Sequence, residues 1–399
     1  MVFSVVLFDD LIARNHLLPL VATRPIGNLR VGILTINKKW ESIFNTDVSY
    51  LTVDYLRDKF SINTFSDREL LVIKGSVLPN DSLLEALRSL TLNQQLVDKA
   101  GEWIAVKVGQ GAHFNAETLE GYEKVELQGD VNRILFPEDI FLNNASQILF
   151  DLQLMNIKPN EVSSTNTIIG NDLYIAQNTA INGAVLDTTK GPIYVGEGAV
   201  IEPNVVIYGP VSIGANCRVK SGAVIYPNVT IGEFSTVGGE LNNVVIWGNS
   251  AKGHAGYLGC AVVGEGCNLG AGTTNSNLKN DWSTVKLYDY AINGLRDTTL
   301  QKCGVVIGDQ VMLGIHSMLT TGTIIGVGAQ VAMSKFIPKF VPDFCWLTDH
   351  KCETYLFSRF EDMMKRKALL KKEKLTDHDM MILSYIHQDT KELRENNQH

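Results

Sequence analysis

The stretch from Lys252 to Asn277 places a side chain able to take up a proton beside backbone able to hold a negative charge. It reads Lys252-Gly253-His254-Ala255-Gly256-Tyr257-Leu258-Gly259 and continues through Gly266-Cys267-Asn268-Leu269-Gly270-Ala271-Gly272-Thr273 to Asn277. A neutral imidazole is the side chain best poised near pH 7 to act as a general base. Backbone N–H groups at a glycine-rich corner suit an oxyanion. Taken alone, a loop histidine is more often a bystander than a base, so the case rests on the company His254 keeps.

The elements around this stretch are set by an internal repeat. Aliphatic residues recur at every sixth position through Val195, Ile201, Ile207, Ile213, Val219, Ile225, Ile231 and Val237, and again through Ile307, Leu313, Leu319, Ile325 and Val331. Shorter runs cover Ile169, Ile175, Ile181 and Val263, Leu269. A six-residue period matches neither a helix nor a single two-sided strand. It suits short strands joined by tight corners, each strand turning one aliphatic side chain into a prism, with about three hexads per coil and coils stacked at the ~4.8 Å strand spacing. Gly follows many of these residues, as at 196, 214 and 232, and is expected to supply corner backbone at positive φ. The period breaks at about 183–194, 239–262 and 273–304, where loops should leave the prism and carry sites. His254 lies in one of these breaks, flanked by glycine, and is expected at the surface.

Residues 1–157 lack the period. Strand-like runs (Val2–Phe8, Leu70–Ile73, Trp103–Val108) and a helix-like stretch (Asp81–Leu90) predict an α/β unit. Past Val331 come Pro338 and Pro342, then helical spacing from Tyr355 to about Leu370 with a basic cluster of Lys365, Arg366, Lys367, Lys371, Lys372 and Lys374. Such clusters usually form a solvated helix face; a phosphate-holding role is the sharper alternative. The 399-residue chain carries a formal charge of −8, which argues against a protein that coats nucleic acid. Its six cysteines form no CxxC pair and are expected to be reduced thiols. The first apolar run is too short for a signal peptide, and no stretch is long enough for a spanning helix, so no membrane partner and a cytoplasmic location are expected.

The 252–277 block resembles the bifunctional N-acetylglucosamine-1-phosphate uridylyltransferase / glucosamine-1-phosphate acetyltransferase family, whose members carry Lys-Ala-Gly-His-x-x-Tyr-Leu-Gly, then Asn-Ile-Gly-Ala-Gly-Thr and a further Asn. The matching residues are His254, Tyr257, Asn268, Gly270, Ala271, Gly272, Thr273 and Asn277. The resemblance covers roughly 160–333 and implies a left-handed parallel β-helix of hexapeptide repeats. It further implies acetyl transfer from acetyl-CoA to an amino-sugar phosphate, with His254 as base, Tyr257 and Asn268 on the sugar phosphate, and Gly270, Ala271 and Asn277 near acetyl-CoA. No metal is implied for this step. The family's phosphate-holding Arg-x-Arg-Pro-Gly resembles Arg218-Val219-Lys220-Ser221-Gly222, making Lys220 the counterpart of its second basic residue. Two further family lysines fall at Asn242 and Ser283, with Lys279 and Lys286 close enough in sequence to substitute for the latter, and Lys286 is the candidate carried forward. These neutral replacements leave the identity of the sugar phosphate open.

Leu18-Pro19-Leu20-Val21-Ala22-Thr23-Arg24-Pro25 is similar to the Leu-x-Pro-Leu-Thr segment of sugar nucleotidylyltransferases, which makes Arg24 a candidate nucleotide contact. The Gly-rich phosphate loop of those enzymes is missing, since Phe8-Asp9-Asp10-Leu11 follows the first strand. Lys74-Gly75-Ser76 carries serine where their Mg²⁺-binding Asp is usual, and Gly129-Asp130 is a weaker second possibility. Mg²⁺ is therefore expected only if this part is active. Order and length resemble the short alternative bacterial form of the bifunctional enzyme: a reduced nucleotidyltransferase-like domain at 1–157, a β-helix acyltransferase domain at 158–335 and a partly helical extension at 336–399. A homotrimer is expected. Two alternatives stay open, a nucleotidylyltransferase using UTP or dTTP whose β-helix is regulatory or oligomerising, and a non-catalytic β-helix scaffold.

Overall fold

The computed structural model describes residues 3–60, 68–111, 114–159 and 162–397. Val2, expected to open the first strand, lies outside them. The chain divides into two compact units. The first is built from the chain up to Asn15 with Arg24–Leu29 and Leu34–Phe136, and the second from His16–Thr23, Arg30–Ile33 and the chain from Pro137 onward.

In the first unit the apolar run Phe3–Phe8 forms a strand with Val5, Val6 and Leu7 buried. It lies between Val48–Leu51 and Glu69–Lys74, parallel to both, with Val5 opposite Val48 and Leu71. Trp103–Val108 then adds antiparallel to Glu69–Lys74, Gln94–Val97 antiparallel to it, and Glu123–Glu126 closes the sheet. The helix expected near Asp81–Leu90 spans Asp81–Ser89, and Asn80 caps it by accepting from the Leu83 amide at 2.9 Å.

The second unit is a left-handed parallel β-helix of about ten turns. Its three faces are ladders of short parallel strands: Ile193–Val195 on Val211–Ile213 on Val229–Ile231, then Val200–Ile201 on Arg218–Val219 on Thr236–Val237, then Val206–Tyr208 on Val224–Ile225. The expected hexad residues point inward and are buried from Ile181 to Val331. Gly170, which follows Ile169, takes the expected positive φ (86°), but the glycines deeper in the stack serve a different purpose. Gly196, Gly214 and Gly232 do not take positive φ; a Cβ on them would meet the backbone of the next coil at 2.6, 2.8 and 2.5 Å. The left-handed corners instead use Asn204, Asn216 and Asn228, which tolerate that conformation, together with Gly198 and Gly222.

The second interruption behaves differently from expectation. Residues 239–262 do not leave the prism. They stay in the stack as two seven-residue strands, Glu240–Ile246 and Tyr257–Val263, bent at Asn243 (φ 60°) and Cys260 (φ 49°). Of the third interruption, Thr274–Asn275 still belongs to a coil, and the chain then leaves it to form the hairpin Lys286–Asp289 with Gly294–Asp297. Past the last expected hexad the ladder continues through Phe340–Val341 and Cys345–Thr348. The helix Phe357–Lys371 follows. Its basic cluster is not simply solvated, because Lys367 donates to Gly266 O (2.9 Å) and Gln310 Oε1 (2.6 Å), and Lys371 donates to Asn249 O (3.0 Å). None of the six cysteines is placed in a disulfide, and the sulfurs of Cys345 and Cys352 lie 2.6 Å apart.

Two polar residues interrupt the inward hexad rows of aliphatic side chains. Lys252 pairs with Val237 in the inward row of the second face, and Asn275 pairs with Leu319 in that of the third. Asn275 is explained by the bend at Cys260: its Oδ1 accepts from Gly259 N (2.8 Å) and its Nδ2 donates to Gly259 O (3.0 Å), closing a peptide that the bend takes out of the ladder. A buried amide left unpaired costs about 1–3 kcal/mol. Asn275→Leu should therefore lower the urea midpoint of the β-helix although it restores the aliphatic row, and by more than Ile225→Val, which costs about 0.5–1.5 kcal/mol. An Asn275→Leu protein as stable as wild type contradicts this account.

Candidate active site

One corner of the prism joins the second face to the third in every coil, and the residues singled out by their chemistry gather there. Successive coils turn through Lys220–Gly222, Gly238–Gly239, Gly253–Gly256, Gly270–Gly272 and Gly314–His316. Main-chain hydrogen bonds lock each turn on the next: Lys220 N to Val237 O (2.9 Å), Gly238 N to Lys252 O (2.8 Å), Gly272 N to Ala255 O (3.1 Å) and His316 N to Ala271 O (2.6 Å).

The Gly238–Gly239 turn has two residues between its strands, where the next has the four of Gly253–Gly256. Both positions need glycine. A Cβ on Gly238 would lie 3.0 Å from Gly253 O, and Gly239, at φ +74°, would press one to 2.9 Å from His254 O. The shortened coil thus lets the four-residue turn above it sit backbone against backbone, with His254 exposed on it. Lys220 reaches up past the short glycine turn from two coils before Gly253: its Nζ lies 4.0 Å from where a Gly253 Cβ would be. On the far side His316 covers Gly272, whose Cβ would meet the imidazole Nδ1 at 2.5 Å.

Tyr257 begins the third-face strand after His254. Its hydroxyl accepts from Asn277 Nδ2 at 3.0 Å, and its ring folds over Gly259, where a Cβ would strike the phenol oxygen. Burial, then the neighbouring Cys260 and Glu240, push this phenol up to about 12, so it stays protonated and can donate at neutral pH. Asn277 and Asn243 both direct their amide nitrogens at Cys260 Sγ (3.4 Å each). Asn268 is exposed on the second face, beside Ala251 and leading into the Gly270 turn. Lys286 is exposed on the hairpin opposite Asp297, and its carbonyl packs on Gly322, at a different corner. Lys279 is engaged within its own loop, with Ser283 Oγ and Thr284 O. The corner thus collects Lys220, His254, Gly270 and Ala271, with Tyr257 and Asn277 forming a pair on the adjoining face.

Sequence reasoning passed over Lys252, Asn275, Cys260 and His316. His316 was accessible to it, because the hexad count puts Gly314-Ile315-His316 at the same corner as Gly253-His254. The other three break the aliphatic or motif pattern and carry no signal of their own.

In the first unit the ends of the parallel strands hold Asp9 and Asp10. Asp9 accepts from Arg14 (2.9 Å), Thr52 Oγ1 (2.6 Å) and Ile26 N (2.8 Å); burial pushes its carboxyl up, against the pull of Arg14. Asp10 pairs with Lys74 at 2.9 Å and accepts from Ile12 N. Arg24 offers its carbonyl to Arg14. Ser76 is buried, and its carbonyl accepts from Ile134 N. Asp130 is exposed and pairs with Lys99. Both strand-end carboxylates are already committed to donors of this unit, and among the described residues no cluster of His, Cys, Asp or Glu is arranged for a metal ion. The donor set does not suit Mg²⁺. Among the described residues no helix is long and apolar enough to cross a membrane.

Two segments of the chain match known families. Residues 5–158 match the sugar nucleotidyl transferase family, and residues 192–227 match the bacterial transferase hexapeptide family of six repeats. The chain is 29% identical to the bifunctional protein GlmU of Methanococcus vannielii over 128 residues, 32% of this chain and 28% of that one. It is 27% identical to the bifunctional protein GlmU of Synechococcus elongatus over 209 residues, 52% of this chain and 39% of that one. A solved structure, the UDP-N-acetylglucosamine acyltransferase of Francisella novicida, aligns over 59% of this chain and 88% of its own at 17% identity with a TM-score of 0.28. The chain spans less than two-fifths of the length of these two curated relatives. It joins a segment similar to the sugar nucleotidyl transferases to one similar to the bacterial hexapeptide transferases.

Proposed function

We propose that the β-helix transfers an acetyl group from acetyl-CoA to the amine of an amino-sugar phosphate of the glucosamine-1-phosphate type. The observation that carries this reading is the single corner at which Lys220, exposed His254 and the Gly270–Gly272 turn are stacked, with only the Gly238–Gly239 coil between Lys220 and His254. In the reaction the amine nitrogen attacks the thioester carbonyl, the carbon–sulfur bond breaks, CoA leaves as the thiolate, and the amine's proton passes to the neutral imidazole of His254. Lys220 holds the phosphate, with Lys286 a second candidate brought from its hairpin. Tyr257 and Asn268 contact the sugar phosphate. Gly270 and Ala271 leave backbone room for the thioester, and Asn277 orients the Tyr257 hydroxyl through their hydrogen bond. The likeness to relatives named as bifunctional enzymes supports the same reading.

Removing a general base costs about 10²–10⁴ in rate. His254→Ala should lose that much in kcat while binding acetyl-CoA as before, and Lys220→Ala should raise KM for the sugar phosphate with little change in kcat, because its charge serves ground and transition states alike. Steady-state assays of CoA release check both. Wild-type rates in His254→Ala contradict the role of the imidazole.

We further propose a homotrimer built through the β-helix. Ile315, 70% exposed on the turn that carries His316, and Phe336, 65% exposed on the third face, are large apolar side chains close to the corner in the stack. Covering them with a neighbouring subunit removes apolar surface from water and gives a one-sided site its second wall. Light scattering should return about three times 44.0 kDa, and a monomer at micromolar concentration contradicts the shared site.

A second activity, nucleotidyl transfer to a sugar 1-phosphate, is suggested for the first unit by the match over 5–158. Asp9 opposes it, because a backbone N–H and a guanidinium that could meet a phosphate are turned to a carboxylate instead. The wild type should form pyrophosphate from UTP and N-acetylglucosamine-1-phosphate at a small fraction of the rate of its acetyl transfer. Comparable rates contradict this.

A further inference from the structure

We infer that Lys252 is a positioning residue for His254: its ammonium, held inside the prism, fixes the backbone of the proposed base from below. This rests on the acetyl-transfer reading of the corner and names a residue that reading does not use.

Lys252 occupies an inward position of the hexad pattern, where the coil before has Val237 and the neighbouring hexads have Ile201, Val219, Leu269 and Leu313. It is 1% exposed. Its Nζ donates to Gly238 O at 3.3 Å and to His254 O at 2.5 Å, and among the described residues no carboxylate pairs with it. An ammonium held by carbonyls alone is a costly occupant of an apolar row, and an aliphatic side chain would fill the same space at lower cost. Packing therefore does not account for the lysine. What it supplies is a side-chain tie between two turns otherwise joined through main-chain hydrogen bonds. The Gly238–Gly239 turn has no side chain to offer, and the turn above it is Gly253-His254-Ala255-Gly256, with Gly256 at φ +125°. In that upper turn Ala255 O accepts from Gly272 N, Gly256 O accepts from Glu240 N, and His254 O accepts from Lys252 Nζ. Removing the ammonium frees the one peptide whose orientation aims the imidazole. Burial also pulls the Lys252 amine down to about 8, in keeping with a charge kept at the expense of solvation.

The test compares full-length wild type with Lys252→Met, which keeps length and apolar contact but removes donor and charge. The variant should melt at the same temperature as wild type or higher at pH 7, because the desolvated ammonium is gone. Its kcat for acetyl transfer should nonetheless fall roughly 10- to 100-fold, with KM for acetyl-CoA within about two-fold. A residue that only fills the core would move stability and leave kcat alone. An independent readout is the His254 ring resonances by NMR in histidine-labelled protein, assigned with His254→Ala. Freeing the His254 carbonyl should displace these resonances in Lys252→Met, and Lys220, Glu240 and His316, which face the corner from adjoining coils, are the same in both proteins. If Lys252→Met does not fold, Lys252→Leu, which also lacks the donor, should show the same displacement. An unchanged kcat with undisplaced ring resonances overturns the inference. If the wild type acetylates no amino-sugar phosphate, the reading of the site fails, and the resonances alone still decide whether Lys252 acts on His254.

Discussion

Everything at the candidate site depends on coil-to-coil register. Each coil of the prism is hydrogen-bonded to the next along three faces, and an inward aliphatic side chain at every hexad keeps the coils from slipping, since a one-residue shift would turn the row outward. Register is what lets residues far apart in sequence meet: Lys220, His254, Ala271 and His316 stand on different coils, yet all lie at the same corner because each follows an inward residue by a short count. The turn before His254 is cut to two glycines, and this brings its backbone directly against the His254 turn.

The same constraint explains which residues pay a cost in stability. Lys252 and Asn275 occupy inward positions that aliphatic residues hold elsewhere, and both satisfy main-chain groups where the regular ladder is interrupted, Lys252 under the His254 turn and Asn275 at the Cys260 bend. Buried polar groups of this kind are tolerated when their partners are complete. Their clustering within one short stretch of the β-helix coincides with the stretch proposed to carry the chemistry.

The hexad period made the β-helix legible in the sequence, because one aliphatic side chain per strand is a demand of the prism and leaves its mark at a fixed spacing. Where the chain departs from that spacing, the pattern alone misleads. Residues 239–262 read as a loop, yet left-handed Asn243 and Cys260 and a shortened glycine turn absorb the missing residues within the stack. Gly196, Gly214 and Gly232 were legible as corner residues but for another reason, the close approach of the next coil, which only three-dimensional stacking reveals. In the first unit the absence of a Gly-rich loop was visible in Phe8-Asp9-Asp10. That Asp9 would gather Arg14, Thr52 and the Ile26 amide was not, since those partners come from separate segments.

The central claim is that one corner of the β-helix is an acetyl-transfer site, and ligand footprinting addresses it most directly. Hydrogen–deuterium exchange of the full chain with and without acetyl-CoA and glucosamine-1-phosphate reports which main-chain amides the ligands protect. The account predicts protection concentrated in 220–222, 253–257 and 270–277, with none at the ends of the parallel strands around Asp9 and Asp10. Protection confined to those strand ends, or an exchange pattern that the two ligands leave unchanged at the 253–257 turn, contradicts it.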